Sequence, residues 1–157
     1  DFATDPVLIN APADKYEAYL TSTYDKLPER LKIFRGKYTI HDSAIIELTL
    51  NNNVLTVALY VSGIVDGDWG DNRKLRIIYE GVENFRSVSL HKLHSLADDC
   101  SGYGDLGYDE LELLDSNYFE HRFLLSTGIE IAFCFSDFDF EDLGPNLGEH
   151  LCENNCQ

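Results

Sequence analysis

The chain has 157 residues, of which 44% are hydrophobic and 12% aromatic, and its formal net charge is −16 at pH 7. This length and composition predict one globular domain with a single core and exclude a disordered chain. No apolar run approaches the roughly 20 residues of a membrane span, and no secretory signal opens the sequence. We therefore expect one domain without a membrane partner.

Acidic residues are concentrated in the second part of the chain. From Leu93 to Gln157 there are fifteen acids and one base, Arg122, whereas Asp1 to Lys92 holds thirteen acids and eleven bases. An evenly acidic surface would favour solubility alone, but acids gathered in one half favour a face that binds a basic partner. The same sign disfavours direct binding of nucleic acid.

Two helices are predicted at the beginning of the chain. The first dozen residues, with Pro6 and Pro12, are expected to form an extended arm. Apolar residues spaced three and four apart then predict an amphipathic helix from Ala13 to Leu27. A second helix follows Pro28 and ends near Gly36, which is a suitable C-terminal stop.

From Tyr38 onward the apolar pattern has a period of two, which is typical of strands. Two such runs flank Asn51-Asn52-Asn53 and predict a β-hairpin, since Asn tolerates turn conformations. Further strands are predicted at Lys74–Tyr79, Val82–Leu90, Asp109–Leu114, Tyr118–Leu125 and Ile129–Phe135, with a loop at Ser101–Gly107. The predicted class is α+β, with short N-terminal helices packed on a mostly antiparallel sheet or sandwich of six to seven strands. Residues 1–37 form the arm and helices, 38–140 the β-rich core and 141–157 an acidic tail with cysteines.

The four cysteines favour free thiols. Cys134 lies in an apolar run and is expected in the core. Cys152 and Cys156, close to His150, raise the alternative of a zinc site, but structural zinc needs four ligands and this segment supplies three. Free thiols in a reducing cytoplasm are the preferred interpretation, with no metal or cofactor.

Residues for catalysis are not found together. His41-Asp42-Ser43 contains three catalytic residue types, yet neighbours on a strand point to opposite faces and do not meet as a triad. The chain also lacks a glycine-rich nucleotide loop, a phosphate loop, a His-Glu-x-x-His motif and a Gly-x-Ser-x-Gly motif. We expect a protein that is not an enzyme.

The polar segment from Asp66 to Asn72 alternates carboxylates as calcium loops do. It lacks the glycine and the bidentate glutamate of such a loop, and strands flank it where an EF-hand has helices. The single tryptophan, Trp69, stands between Asp68 and Gly70. A tryptophan in this setting is typical of an interface anchor, with a ring folded over the sheet edge as the alternative.

A second acidic segment runs from Asp98 to Glu120, with eight acids, no base and interleaved tyrosines. Carboxylates along a rigid surface imitate a phosphate backbone to a basic protein, and tyrosines add contact area. In Asp137 to Asp142, by contrast, Phe138 and Phe140 fit the inward face of the last strand. The candidate partner-binding residues are Asp66, Asp68, Trp69, Asp98, Asp99, Asp105, Tyr108, Asp109, Glu110 and Glu112.

The segment from Tyr38 to Leu59 resembles the opening of small bacterial domains that carry an aromatic residue, a His-Asp-Ser element and a hairpin. Residues 73–88, with Gly81-Val82, and residues 120–140 are similar to later strands of these domains. Some of them are immunity proteins encoded beside polymorphic toxins. The resemblance implies a cytoplasmic protein that binds and neutralises a cognate toxin, without catalytic residues, and the acidic face suits a basic toxin such as a nuclease. The alternative is a small ligand- or metal-binding β-domain that uses the loop at Asp66–Asn72.

Overall fold

The structure, a computed structural model, describes residues 6–61, 63–64, 73–87, 103–115 and 117–145, with the backbone alone for 6–13 and 63–64. In these ranges, two α-helices and a short 3₁₀ turn precede ten strands. The helices are α1 (Pro6–Thr23) and α2 (Glu29–Lys37), with the 3₁₀ turn at Tyr24–Lys26. The strands are β1 (Tyr38–Thr39), β2 (Ser43–Asn51), β3 (Val54–Val61), β4 (Gly63–Ile64), β5 (Arg73–Glu80), β6 (Glu83–Ser87), β7 (Asp105–Asp115), β8 (Tyr118–Leu125), β9 (Glu130–Phe135) and β10 (Asp137–Pro145).

The helical region is longer than the sequence pattern predicts. Helix α1 begins at Pro6, so the prediction of an extended arm is wrong for residues 6–12. Proline fits the first turn of a helix because its missing N–H needs no partner there, and the helix then continues through Pro12. Helix α2 runs past Gly36 to Lys37 and buries Leu31 and Phe34.

The predicted hairpin is confirmed as β2 and β3. Asn52 and Asn53 form its two-residue turn with positive φ angles of 47° and 62°, a conformation that Asn adopts more readily than most residues. The alternate apolar residues of β3 are fully buried. In β2 a bulge at Ile46 shifts the register, so that Ile45 is buried before the bulge and Leu48 is half-buried after it.

The α+β class is confirmed, with more strands than the six to seven predicted. Eight strands form one antiparallel sheet in the order β10-β5-β3-β2-β7-β8-β9-β6, while β1 and β4 form a separate antiparallel pair. Strand β7 begins at Asp105, inside the segment predicted as a loop. Gly107 lies at a register shift between Leu106 and Tyr108, so the glycines that indicated a loop belong in part to a bulge.

Two long strands bend together and fold the sheet into two halves. Glu80 of β5 pairs with Asp137 of β10, and Glu83 of β6 pairs with Cys134 of β9 in the same register. The pairing therefore continues across the corner at which β5 turns into β6 and β9 into β10. Gly81 takes a φ of 64° there, and a Cβ atom at this position would overlap Oγ of Ser136. The corner requires glycine for both reasons.

One aromatic core joins the two halves. Tyr79 of β5 is fully buried and contacts the rings of Phe133 and Phe135 on β9 and of Phe138 on β10 at centroid distances of 4.7, 5.0 and 5.3 Å. These edge-to-face contacts add to the free energy gained by burying the rings. The inner faces of the two halves therefore pack on each other as in a sandwich.

The helices close the open end of this sandwich. Strands β2 and β7 pair only at Ser43–Leu106 and Ala44–Asp105, so within the described ranges most of β7 has no neighbouring strand on that side. There, two tyrosine hydroxyls of helix α1 accept hydrogen bonds from backbone N–H groups of β7. On the other half of the sheet, Phe34 of α2 packs against Phe138 and Phe140 of β10.

Candidate protein-binding face

Strands β7, β8, β9 and β6 present one side to solvent, which we call the outer face. Side chains alternate along a strand, so every second residue points outward. The register places Tyr108 opposite Leu124, Glu110 opposite Arg122 and Glu112 opposite Glu120. The outer face comprises Tyr108, Glu110, Glu112, Leu114, Glu120, Arg122, Leu124, Glu130, Ala132 and Arg86. Its four carboxylates and two guanidinium groups give a formal charge of −2.

Arg122 holds three of these carboxylates. Its guanidinium group lies 2.5 Å from Glu120, 2.7 Å from Glu112 and 3.5 Å from Glu110. Arg86 adds a second contact to Glu120 at 2.6 Å. Glu112 and Glu120 stand opposite each other, and Arg122 offsets the repulsion that two like charges would cause across strands. The hydrogen bond to Glu120, with the nearby glutamates, raises the pKa of Arg122.

Large apolar side chains flank this charged centre. Tyr108 and Leu124 are directly opposite each other and are 45% and 42% exposed, and Leu114 at the other end of β7 is 47% exposed. Apolar side chains gathered beside charged groups are typical of binding surfaces, since contact with a partner removes them from water.

A shallow hollow of about 230 Å³ lies between the apolar and the charged parts of the outer face. Tyr108 and Glu110 border it on the β7 side, and Glu130 and Ala132 border it on the β9 side. Ala132 stands between Arg122 of β8 and Arg86 of β6, and its methyl group leaves the space unfilled. The hollow therefore arises from a small residue among long ones.

The structure places only part of the predicted binding set on this face. Tyr108, Glu110 and Glu112 lie on the outer face, and Asp105 is exposed at the beginning of β7. Asp109 does not share the face, because its neighbours Tyr108 and Glu110 point outward and Asp109 therefore points inward. The remaining predicted residues, Asp66, Asp68, Trp69, Asp98 and Asp99, lie outside the described residues.

Asp109 belongs instead to a buried polar chain that the sequence did not reveal. Its carboxylate lies 3.1 Å from Nε2 of His121, and Nδ1 of His121 lies 3.0 Å from the hydroxyl of Tyr79. A carboxylate only accepts, so Nε2–H donates to Asp109 and Nδ1 accepts from Tyr79. Arg35 of α2 closes the chain at 3.6 Å from Asp109. These residues join a helix to both halves of the sheet.

The environment of this chain keeps His121 neutral and Asp109 ionised. Burial lowers the pKa of His121 and outweighs the opposing effect of the Asp109 carboxylate. For Asp109, burial acts to raise the pKa, but the hydrogen bond from His121 and the charge of Arg35 hold it below its usual range. His121 and Tyr79 are almost fully enclosed, so the chain holds elements together and offers a substrate no access.

The His41-Asp42-Ser43 element forms a tight turn before β2. Asp42 has a φ of 60°, and its N–H donates to the carbonyl of Leu106, which ties β2 to β7. Nδ1 of His41 lies 2.9 Å from the Asp42 carboxylate, and both side chains are exposed. Ser43 points inward, and its hydroxyl has no hydrogen-bond partner among the residues that the structure describes. The three side chains do not assemble into a triad.

Part of the uneven charge along the sequence is balanced in space. Acids from β7 to β10 pair with bases that come earlier in the chain. These pairs are Arg30–Asp139, Arg35–Asp109, Lys37–Asp142, Arg73–Asp142, Arg76–Glu141 and Arg86–Glu120. Asp142 also accepts from Tyr38, and these contacts overcome the effect of burial and lower its pKa to about 2.

Two kinds of site are not found in the described parts of the chain. Among residues 6–61, 63–64, 73–87, 103–115 and 117–145, no group of three or more His, Cys, Asp or Glu side chains is placed to hold a metal ion. In the same ranges, no helix combines the length and the apolarity needed to cross a membrane. The loop at Asp66–Asn72 and the pair Cys152 and Cys156 fall outside these ranges.

Comparison with known proteins gives one structural likeness. The sequence matches no protein-family profile and no curated protein. A solved structure of an uncharacterized protein from Neisseria gonorrhoeae is similar to this chain with a TM-score of 0.45 and 18% sequence identity, over 67% of this chain and 95% of that one.

Proposed function

We propose that this protein is a non-catalytic inhibitor, an immunity protein that binds and neutralises a cognate basic toxin, such as a nuclease, in the bacterial cytoplasm. The outer face is its binding surface. The observation that carries the proposal is the arrangement of exposed Tyr108 and Leu124 beside the carboxylates of Glu110, Glu112 and Glu130.

The composition of the outer face supports protein binding. Interfaces combine an apolar centre with charged surroundings, and tyrosine and arginine are enriched among the residues that dominate binding energy. Tyr108 and Arg122 supply both types. The face lies on four hydrogen-bonded strands, so little ordering is needed when a partner binds, and the entropic cost of binding is correspondingly small.

The charge of the outer face supports a basic partner. Its formal charge of −2 is part of the −16 of the whole chain, so the face and the protein as a whole have the same sign. A field of this sign steers a basic protein toward the surface and raises its association rate by roughly 10- to 1,000-fold. Occlusion of a nuclease groove by carboxylates would exclude the nucleic acid, whose affinity depends on the same positive charges. Asp66, Asp68, Trp69, Asp98 and Asp99 lie outside the described residues and stay predictions for partner binding.

The test is neutralisation of a toxin encoded beside this protein. Purified toxin is titrated with the protein, its toxic activity is measured, and the dissociation constant is determined by calorimetry at two salt concentrations. We expect neutralisation at one-to-one stoichiometry, with weaker binding at higher salt. Absence of binding to the neighbouring toxin, or binding without loss of toxicity, contradicts the proposal.

Matched variants locate the surface. Tyr108→Ser and Leu124→Ser should each weaken toxin binding, whereas Tyr24→Ser and Leu50→Ser, at residues of nearly equal exposure elsewhere, should leave it unchanged. Tyr24 and Tyr108 are both 45% exposed, so the two tyrosine substitutions remove comparable apolar surface. Equal effects at Tyr24 and Tyr108 would exclude the outer face as the binding surface.

A further inference from the structure

The hollow on the outer face has the features of a pocket for one side chain. Tyr108, Leu124 and Ala132 line it, together with Arg122. At about 230 Å³ it is too small for a folded element and large enough for one long side chain. Two carboxylates, Glu110 and Glu130, stand on opposite sides of it, on β7 and β9.

The charges around the hollow are not equally satisfied. Arg122 and Arg86 both bind Glu120, at 2.5 and 2.6 Å. The ion pair of Glu110 is the longest contact of Arg122, at 3.5 Å, and its other polar neighbour is the uncharged hydroxyl of Tyr108. No base in the described part of the chain pairs with Glu130. Among the described residues, the hollow is thus bordered by one carboxylate without an ion pair and one with a weak ion pair, while both neighbouring bases are already engaged.

We propose that this hollow receives an arginine side chain of the protein partner, with Glu130 and Glu110 as its counter-charges; this assignment rests on the proposed function. The guanidinium group stacks on the exposed ring of Tyr108, a contact that a planar cation makes well. Its aliphatic stem covers Leu124, and its terminal nitrogens reach the carboxylate of Glu130, which accepts two parallel hydrogen bonds.

The chemistry of the surrounding residues favours arginine over other occupants. An acidic side chain would meet Glu110 and Glu130 while both nearby bases stay bound to Glu120. An apolar side chain would leave the two carboxylates desolvated without a partner, which is costly. Lysine satisfies the charge but lacks the flat group that stacks on Tyr108 and pairs in two places with a carboxylate.

A small probe tests the hollow without the toxin. N-acetyl-argininamide is titrated into the isotope-labelled protein, and backbone amide shifts are followed by NMR, with the uncharged N-acetyl-citrullinamide as the control ligand. We expect saturable shifts centred on Leu124, Glu130 and Ala132 with argininamide alone. Equal shifts with citrullinamide, or shifts spread over acidic residues in general, would overturn the assignment.

Two variants separate shape from charge. Ala132→Leu fills the hollow at constant net charge, and Glu130→Gln removes one carboxylate while its shape is kept. Each should reduce the argininamide shifts at least fivefold. Glu17→Gln, on the exposed surface of α1, makes the same charge change elsewhere and should have no effect. Unchanged shifts in Ala132→Leu would mean that argininamide binds by charge alone, which contradicts the proposal.

The toxin then decides whether the hollow is the anchor. Glu130→Gln and Ala132→Leu should each raise the dissociation constant for the toxin at least tenfold, and Glu17→Gln should change it less than twofold. If the toxin binds all variants equally well, the arginine pocket is wrong while the inhibitor function stands. If the unaltered protein binds no toxin, the proposed function fails and the proposed partner fails with it.

Discussion

The backbone N–H of Leu111 on β7 donates a 2.6 Å hydrogen bond to the hydroxyl of Tyr16 on α1. Leu113 makes the same contact to Tyr19, at 2.7 Å. These two bonds occupy positions that a neighbouring strand would otherwise fill, because β2 leaves β7 after two residue pairs. Helix α1 thereby stands in for a strand at the point where the sheet opens.

Removal of these hydroxyls should weaken the attachment of α1. Tyr16→Phe and Tyr19→Phe keep the rings but leave partly buried N–H groups without an acceptor, and each should lower the free energy of unfolding by about 1 kcal/mol. Tyr24→Phe is the control, since the Tyr24 side chain is exposed and no described hydrogen bond uses its hydroxyl. Chemical denaturation measures all three. No difference between Tyr16→Phe and Tyr24→Phe would show that the Tyr16 contact adds nothing.

Local patterns predicted the strands, but not the contacts between distant elements. The asparagine turn and the alternation in β3 were sufficient for the hairpin, and Phe138 and Phe140 were correctly assigned to the inward face of the last strand. Each of these features depends on residues close in sequence. The contact between α1 and β7 joins residues that are separated by 94 and 95 positions in the sequence. A local periodicity carries no information about contacts at that separation.

The sequence pattern could have shown that Asp109 and Glu110 do not share a face. Asp109 and Glu110 fall in a predicted strand, where adjacent side chains point to opposite faces, so they could not both belong to one acidic surface. The pattern alone does not tell which of the two points inward. Here His121 and Arg35 decide it, because they bind the Asp109 carboxylate, and neither is adjacent to it in sequence.

Substitution of Gly81 should disrupt the corner of the sheet. Gly81→Ala places a methyl group against Ser136 and forces alanine into a φ of 64°, so we expect the free energy of unfolding to fall by about 2 kcal/mol or more. Adding Ser136→Ala should restore the stability that is lost through the clash, but not the stability that is lost because alanine is forced into a positive φ. Gly36→Ala lies in open space within α2 and should stabilise by about 0.5–1 kcal/mol. A neutral Gly81→Ala would contradict this account of the corner.

Asp109 and Glu112 should differ in what they support. Asp109→Asn breaks a largely buried ion pair and a hydrogen bond, so it should lower the free energy of unfolding by about 2 kcal/mol or more. Glu112→Gln changes an exposed ion pair and should cost less than about 1 kcal/mol. The rate of association with the toxin should show the reverse order. Glu112→Gln should slow association more than Asp109→Asn does, because Glu112 lies on the outer face. Thermal unfolding measures the effect on stability, and stopped-flow mixing measures the effect on association. If one variant has the larger effect in both measurements, the assignment of stability to Asp109 and of binding to Glu112 is wrong.

His121 should make the protein less stable in mild acid. Because its pKa is lowered by burial, the unfolded chain binds a proton at a higher pH than the folded protein does. Stability is therefore complete above about pH 6.5, the ordinary pKa of histidine, and falls as the pH drops toward the folded value, by at most about 1.4 kcal/mol per pH unit for one proton. Asp109 changes the stability in the same direction at lower pH. Because its pKa is lowered in the folded protein, the stability that its ionised form contributes is lost as the pH falls below about 4.

Denaturation curves at pH 7.5 and pH 5.5 test this effect. The unaltered protein should be less stable at pH 5.5, and His121→Gln, which is uncharged at both values, should show a smaller difference although it is less stable overall. His41→Gln changes an exposed histidine and should keep the full difference. If His121→Gln loses as much stability between the two pH values as the unaltered protein does, the protonation of His121 is not the cause.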